Sequence, residues 1–200
     1  MYRSILFLVL CAFCVRAEAA ALSDRDKADI AQAEAYLNGF STLKAHFLQV
    51  SDDGGQAEGT AYLSRPGRLR LQYDPPAKMV LIADGTFLIV DDKRYDNPSY
   101  LPLGSTPAGV LVREKIDLLG GDLSVSKVLR QPGVVAVTMT EKDDPGQGEL
   151  TLVFSDKPFQ LRQWRIVDAQ NQVTTVSLFD IQTGIPLDRK LFVYNSPQNF

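Results

Sequence analysis

Arg65-Pro66-Gly67-Arg68-Leu69-Arg70-Leu71-Gln72-Tyr73 alternates strictly from residue 68 onward. Leu69, Leu71 and Tyr73 share one face and Arg68, Arg70 and Gln72 the other, the period-two pattern of a strand with one wet and one buried side. Arg65 has the parity of the leucines. If Pro66-Gly67 introduces no bulge, its guanidinium aims into the apolar side near the rim of the sheet. A desolvated cation there needs acceptors, and the unpaired carbonyls at the end of a nearby helix are suitable ones. The alternative is that Pro-Gly kinks the chain and Arg65 snorkels into water.

The same grammar extends in both directions. From Ala45 onward, short apolar runs alternate with turn clusters such as Asp52-Asp53-Gly54-Gly55, Asp74-Pro75-Pro76, Gln131-Pro132-Gly133 and Thr183-Gly184. Asp84-Gly85, between runs at 79–83 and 86–90, predicts a two-residue hairpin loop with positive φ at both residues. Further runs at 123–128, 134–140, 149–154, 160–167 and 173–181 bring the expectation to about ten strands, antiparallel because the connections are too short for crossovers.

Two segments depart from this period. Ser23 with Asp24 and Asp26 predicts a capped helix start. Ala28, Ala31 and Ala35, and then Ile30, Ala33, Leu37 and Phe40, recur at helical spacing up to Asn38-Gly39, with Lys27, Asp29, Gln32 and Glu34 on the exposed face. Ser105-Thr106-Pro107 predicts a second helix or helix pair over residues 108–119, burying Val110, Leu111, Ile116, Leu118 and Leu119. The fold class is mainly β with helices (α+β): one strongly curved antiparallel sheet with helices available to cover a face.

Residues 1–19 read as a cleaved export signal, with Arg3 as the basic start, eleven apolar residues at 5–15, and Ala17-Glu18-Ala19 at the cleavage position (Ala21 the fallback). Cys11 and Cys14 fall inside it, behind Leu10 and Phe13. Those bulky residues favour plain secretion over lipidation, and leave residues 20–200 as one thiol-free domain.

Composition narrows the function. With 45% apolar and 22% charged residues the chain can bury a core, and a net charge of −3 argues against a nucleic-acid grip. His46 is the sole imidazole, and no G-x-S-x-G elbow accompanies it. Asp52-Asp53, Asp91-Asp92 and Asp143-Asp144 read as turn residues rather than calcium ligands or a glycosidase pair, since the D-x-D-x-D-G spacing is missing. Gly146-Gln147-Gly148 lacks the third glycine and helix of a dinucleotide loop. Neither covalent nor metal chemistry has evident apparatus, and binding is what remains.

Several residues then occur in a telling order: Tyr36-Leu37, Leu43-x-Ala45-x-Phe47-x-Gln49, and Gly59-x-Ala61-Tyr62-Leu63-x-Arg65-Pro66-Gly67-x-Leu69-Arg70. Ala83-Asp84-Gly85, Thr106-Pro107, Gly148-x-Leu150-x-Leu152-x-Phe154, Leu161-x-x-Trp164, Asp168 and Leu191-Phe192 come after them. Across nearly the whole exported chain this resembles the periplasmic lipoprotein carrier family LolA. The resemblance implies an incomplete β-barrel with a helical lid over an apolar cavity, acting as a monomeric, cofactor-free periplasmic carrier and not an enzyme. Its cargo would be acylated lipoproteins, received from an inner-membrane LolCDE-type exporter and delivered to the outer membrane, to a LolB-like acceptor where one exists. It also implies that Arg65 is the lid latch, bonded to lid carbonyls in the empty carrier, and that Leu37, Phe40, Leu69, Leu71, Leu81, Val110 and Leu111 line the cavity. Leu69 and Leu71 depart from the aromatics common in the family. A lipid or glycolipid shuttle, or an envelope-stress lipoprotein sensor, are the rival readings on the same fold.

Overall fold

Ser23 starts the helix as its sequence predicts. Its hydroxyl accepts the Asp26 N–H at 3.2 Å and the Asp26 carboxylate accepts the Ser23 N–H at 2.9 Å, a reciprocal cap that satisfies two otherwise orphaned donors. Helix α1 then runs Asp24–Asn38 and ends at Gly39. Of the two apolar stripes, Ile30, Ala33 and Leu37 are buried, while Ala28, Ala31 and Ala35 face solvent. Alanine favours helix wherever it sits, so its spacing alone does not identify the packed face. The computed structural model describes residues 22–195. The export signal, Cys11, Cys14 and the cleavage positions lie outside the described residues.

Eleven strands come next: β1 (Thr42–Ser51), β2 (Gln56–Ser64), β3 (Arg68–Tyr73), β4 (Met79–Asp84), β5 (Phe87–Asp92), β6 (Ser99–Pro102), β7 (Leu123–Gln131), β8 (Val134–Glu141), β9 (Gly148–Asp156), β10 (Phe159–Asp168) and β11 (Val173–Thr183). They form one antiparallel sheet in the order β6-β5-β4-β3-β2-β1-β11-β10-β9-β8-β7. Its two edges, β6 and β7, do not pair with each other, so the sheet is an open barrel. The strand beyond the ten expected is β6, whose four residues are all exposed and therefore carry no alternation to betray it. The hairpin at Asp84-Gly85 forms one residue later than its sequence suggests. Gly85 and Thr86 make the loop, only Gly85 has positive φ (+109°), and Asp84 Oδ1 accepts the Thr86 and Phe87 N–H groups.

The predicted helix over 108–119 is a larger correction. The chain forms a short 3-10 helix at Leu103–Ser105 and a second at Pro107–Val112, then continues without helix to β7. Val110, Leu111 and Val112 are all buried, as are Ile116 and Leu118, whereas Leu119 is exposed. Three consecutive buried residues use every side of the chain, which an amphipathic α-helix cannot do, and Gly109, Val110 and Val112 are weak α-formers. This segment joins one sheet edge to the other and sits in the concavity, beside α1.

One apolar cluster fills the space between the sheet, α1 and this connection. Tyr36 of α1 packs edge-on against Phe154 and Phe159 at ring distances of 5.9 and 6.1 Å, seating the helix on β9 and β10. No helix among the described residues is long and apolar enough to cross a membrane.

Candidate functional site

Arg65 sits in the turn between β2 and β3, on the parity that its sequence predicts, and its side chain enters the apolar side. Its Nε donates to the Leu111 carbonyl at 3.0 Å, and one terminal nitrogen donates to the carbonyls of Leu37 and, at 3.2 Å, Phe40. The Phe40 ring lies 5.0 Å from the guanidinium, a cation–π contact. Burial pushes the Arg65 pKa down to about 10, which leaves it charged at neutral pH. Thus one cation on the barrel rim joins the C-terminal end of α1 to the 3-10 helix Pro107–Val112. All its acceptors are neutral backbone carbonyls: Leu37 and Leu111 are among the groups that helix ends leave without partners, and Phe40 lies just past the end of α1.

Other bonds complete the closure. Gly67 N–H donates to the Val112 carbonyl at 2.7 Å. Gly67 adopts φ +79°, and a Cβ there would lie 2.8 Å from Gly85 Cα, so the turn accepts no larger residue without shifting. At the last residue of α1, Asn38 Nδ2 donates to the Ile116 carbonyl at 2.8 Å and its Oδ1 accepts the Ile116 N–H at 2.9 Å. One turn earlier, Glu34 Oε2 accepts the Leu118 N–H at 2.9 Å. Arg113 pairs with Asp122 and Glu141, fastening the connection to β8.

Asn38 and Glu34 are not legible as site residues. Asn38 reads as a helix terminator and Glu34 as a member of the exposed face, yet both staple α1 to a segment about eighty positions downstream, for which no local pattern exists. His46 points outward on β1, with Nε2 3.4 Å from a Glu58 oxygen, away from these residues.

The residues expected to line a cavity do converge. Leu69 and Leu71 of β3 and Leu81 of β4 face Leu37, Val110 and Leu111 across the core cluster, with Phe40 and Leu81 packed at its margin. An open hollow at these positions is not what the structure shows. Leu37 is 0% exposed, Leu111 2%, Leu69 and Val110 3%, and Leu71 4%, whereas a side chain lining an empty space large enough for water keeps accessible surface. Val110, Leu111, Val112, Ile116 and Leu118 of the connection occupy the concavity instead.

Known proteins place this arrangement. A carrier from Methylococcus capsulatus, named outer-membrane lipoprotein carrier protein, is 27% identical over 173 residues, covering 82% of either chain. A relative of the same name from Legionella pneumophila is 27% identical over 172 residues, covering 81% of this chain and 83% of its own. Among solved structures, a DUF1329 family protein from Desulfovibrio piger superposes with a TM-score of 0.52 at 10% identity over 86% of this chain and 98% of its own, a likeness of fold alone. Residues 38–195 match the family described as outer membrane lipoprotein carrier protein LolA, and the chain, with its rim arginine and plugged open barrel, belongs to that family.

Proposed function

We propose that this protein is a periplasmic, non-enzymatic chaperone that takes the acyl chains of lipoproteins between its curved sheet and its lid. It would receive them from a LolCDE-type exporter in the inner membrane and release them at the outer membrane, to a LolB-like acceptor where one exists. The observation that carries this reading is Arg65, a single guanidinium holding two lid pieces by neutral carbonyls at the rim of an apolar interior.

The energetics support exchange over permanent closure. Burying each of Val110, Leu111, Val112, Ile116 and Leu118 is worth about 1.5–3 kcal/mol, and an acyl chain gains about 0.8 kcal/mol per buried methylene. The two totals are of the same order, so lid and lipid compete for one space. The Arg65 bonds add to the closed side, but the burial that depresses the Arg65 pKa subtracts from it, and the latch stays breakable. Release is then a matter of differential affinity between open and closed states.

The test is Arg65→Leu. Lipoprotein should load and accumulate on the carrier while onward transfer to outer-membrane vesicles falls; transfer at the wild-type rate would remove Arg65 from its assigned role. Mass spectrometry of protein purified from the periplasm separates this function from a lipid shuttle, which would carry free lipid without lipoprotein.

A further inference from the structure

The interior of the barrel is layered, and the layers change character with distance from the latch. Across β1, β2, β3 and β4 the inward residues pair in rows. The first is Leu43–Leu63–Leu69–Ala83 and the second Ala45–Ala61–Leu71–Leu81. Both are wholly apolar, and the second is narrowed by two alanines. The third row is Phe47–Gly59–Tyr73, and there the pattern breaks. Gly59 contributes no side chain, and the rings of Phe47 and Tyr73 close over it edge to face at 5.0 Å. A Cβ on Gly59 would lie 2.0 Å from the Gln72 carbonyl oxygen and 2.9 Å from the Phe47 ring, so this closure depends on glycine. Tyr73 is 4% exposed, and its hydroxyl bonds at 2.5 Å to Gln49 Oε1, the next inward position on β1. Beyond Gln49 the apolar space ends. Gln49 borders a hollow of about 600 Å³ lined also by Lys78, Asp92, Lys93 and Arg94, at the turns farthest along these strands from Arg65.

The structure assigns Phe47, Tyr73 and Gln49 as the floor of the acyl-binding interior, which sets how long an acyl chain the carrier accommodates. This rests on the proposed carrier function and adds the specificity of its site. A chain entering beside the displaced lid passes the two apolar rows and meets an aromatic barrier backed by a half-buried hydroxyl–amide bond. Going farther means prying the two rings apart, breaking that bond and bringing the acyl end against the polar lining of the hollow beyond, which is unfavourable. From the level of Arg65 to that of Gly59 is six residues of β2, or about 20 Å of strand, comparable with the reach of an extended long-chain acyl group.

The experiment measures binding of synthetic lipopeptides bearing one saturated acyl chain of increasing length to the wild-type protein, Tyr73→Ala and Tyr73→Leu. In the wild type each added methylene should tighten binding about fourfold until a break, beyond which longer chains gain little. Tyr73→Ala should move the break to longer chains by about one side-chain row, roughly 7 Å. Tyr73→Leu, which keeps the row filled and loses the hydroxyl and part of the ring, should move it the same way by less. It carries the test alone if the alanine variant does not fold, as judged by circular dichroism. A break that stays at the wild-type length in the folded variants overturns the floor, even with the carrier function intact. If the wild type fails to bind any lipopeptide, the carrier function itself is overturned.

Discussion

Arginines hold both ends of α1, and they do so by opposite means. At the C-terminal end, Arg65 reaches from the β2–β3 turn to three backbone carbonyls, and no carboxylate among the described residues answers it. At the N-terminal end, Arg130 of β7 pairs with two carboxylates of the helix, Asp26 at 2.8 Å and Asp29. Each end suits its electrostatics, since a cation is favourable near helix carbonyls and anions near helix amides. The chemistry differs in how readily it lets go. Carbonyls freed from Arg65 remain neutral and can turn to water, and the guanidinium is left without cost only where it reaches water too, because unpartnered on the apolar side it is unfavourable. Separating Arg130 from Asp26 and Asp29 strands half-buried charges of both signs, which is far less tolerable. The helix is therefore held by ion pairs at the β7 edge and by neutral carbonyls at the rim, and on the proposed carrier function the rim is the end that opens.

The packing between those ends should show the largest effect. Leu37→Ala removes a fully buried side chain directly beside Arg65 and should lower unfolding free energy by about 2–5 kcal/mol in urea titrations. Ala31→Ser, on the exposed alanine stripe, should change it by less than about 0.5 kcal/mol. Equal effects would mean that the helix packs on its other face. Next in size is Asn38→Leu, which leaves the Ile116 N–H and carbonyl without their partner and should cost about 1–3 kcal/mol. Hydrogen exchange sharpens the contrast. The amides of Ile116 and Leu118 should exchange faster in Asn38→Leu, while those in the first turn of α1, held by Arg130 and Ser23, keep wild-type protection.

Much of this is legible in the sequence, for reasons that also explain what is not. Leu69, Leu71 and Tyr73 alternate because half their strand is wet, so strand and face can be read together, and parity alone puts Arg65 on the inner side. The bounds of α1 come from Ser23 and Asn38-Gly39, because caps are local. The lid connection reads as a helix or helix pair reaching residue 119 because Thr106-Pro107 is a genuine start signal, and a helix does begin there, but it stays short and 3-10 in surroundings that bury Val110, Leu111 and Val112 together. Asn38 and Glu34 escape notice because their partners are backbone groups, which every residue possesses. The filled interior cannot be read at all: Leu111 is equally apolar whether it lines a hollow or plugs one.

The smallest effects belong to the N-terminal end. Ser23→Ala removes the cap and should cost about 1 kcal/mol, without altering lipoprotein release if α1 opens only from the Arg65 side. The same end should also give the molecule an acid-sensitive component. The Ser23 hydroxyl and N–H, and after them Arg130, hold the Asp26 carboxyl at about 2, below its usual 3.8. Because the folded value is the lower one, the unfolded chain takes up the proton first as pH falls, so this contribution is complete above about pH 5 and drains away toward pH 2. Thermal melts across that range should therefore fall more steeply for the wild type than for Asp26→Asn, and the two curves should converge at the acid end. Arg65 bonds only to groups that do not titrate, so Arg65→Leu should leave that slope unchanged. If Arg65→Leu flattened the slope as Asp26→Asn does, the two ends would be acting as one clamp and the asymmetry between them would be lost.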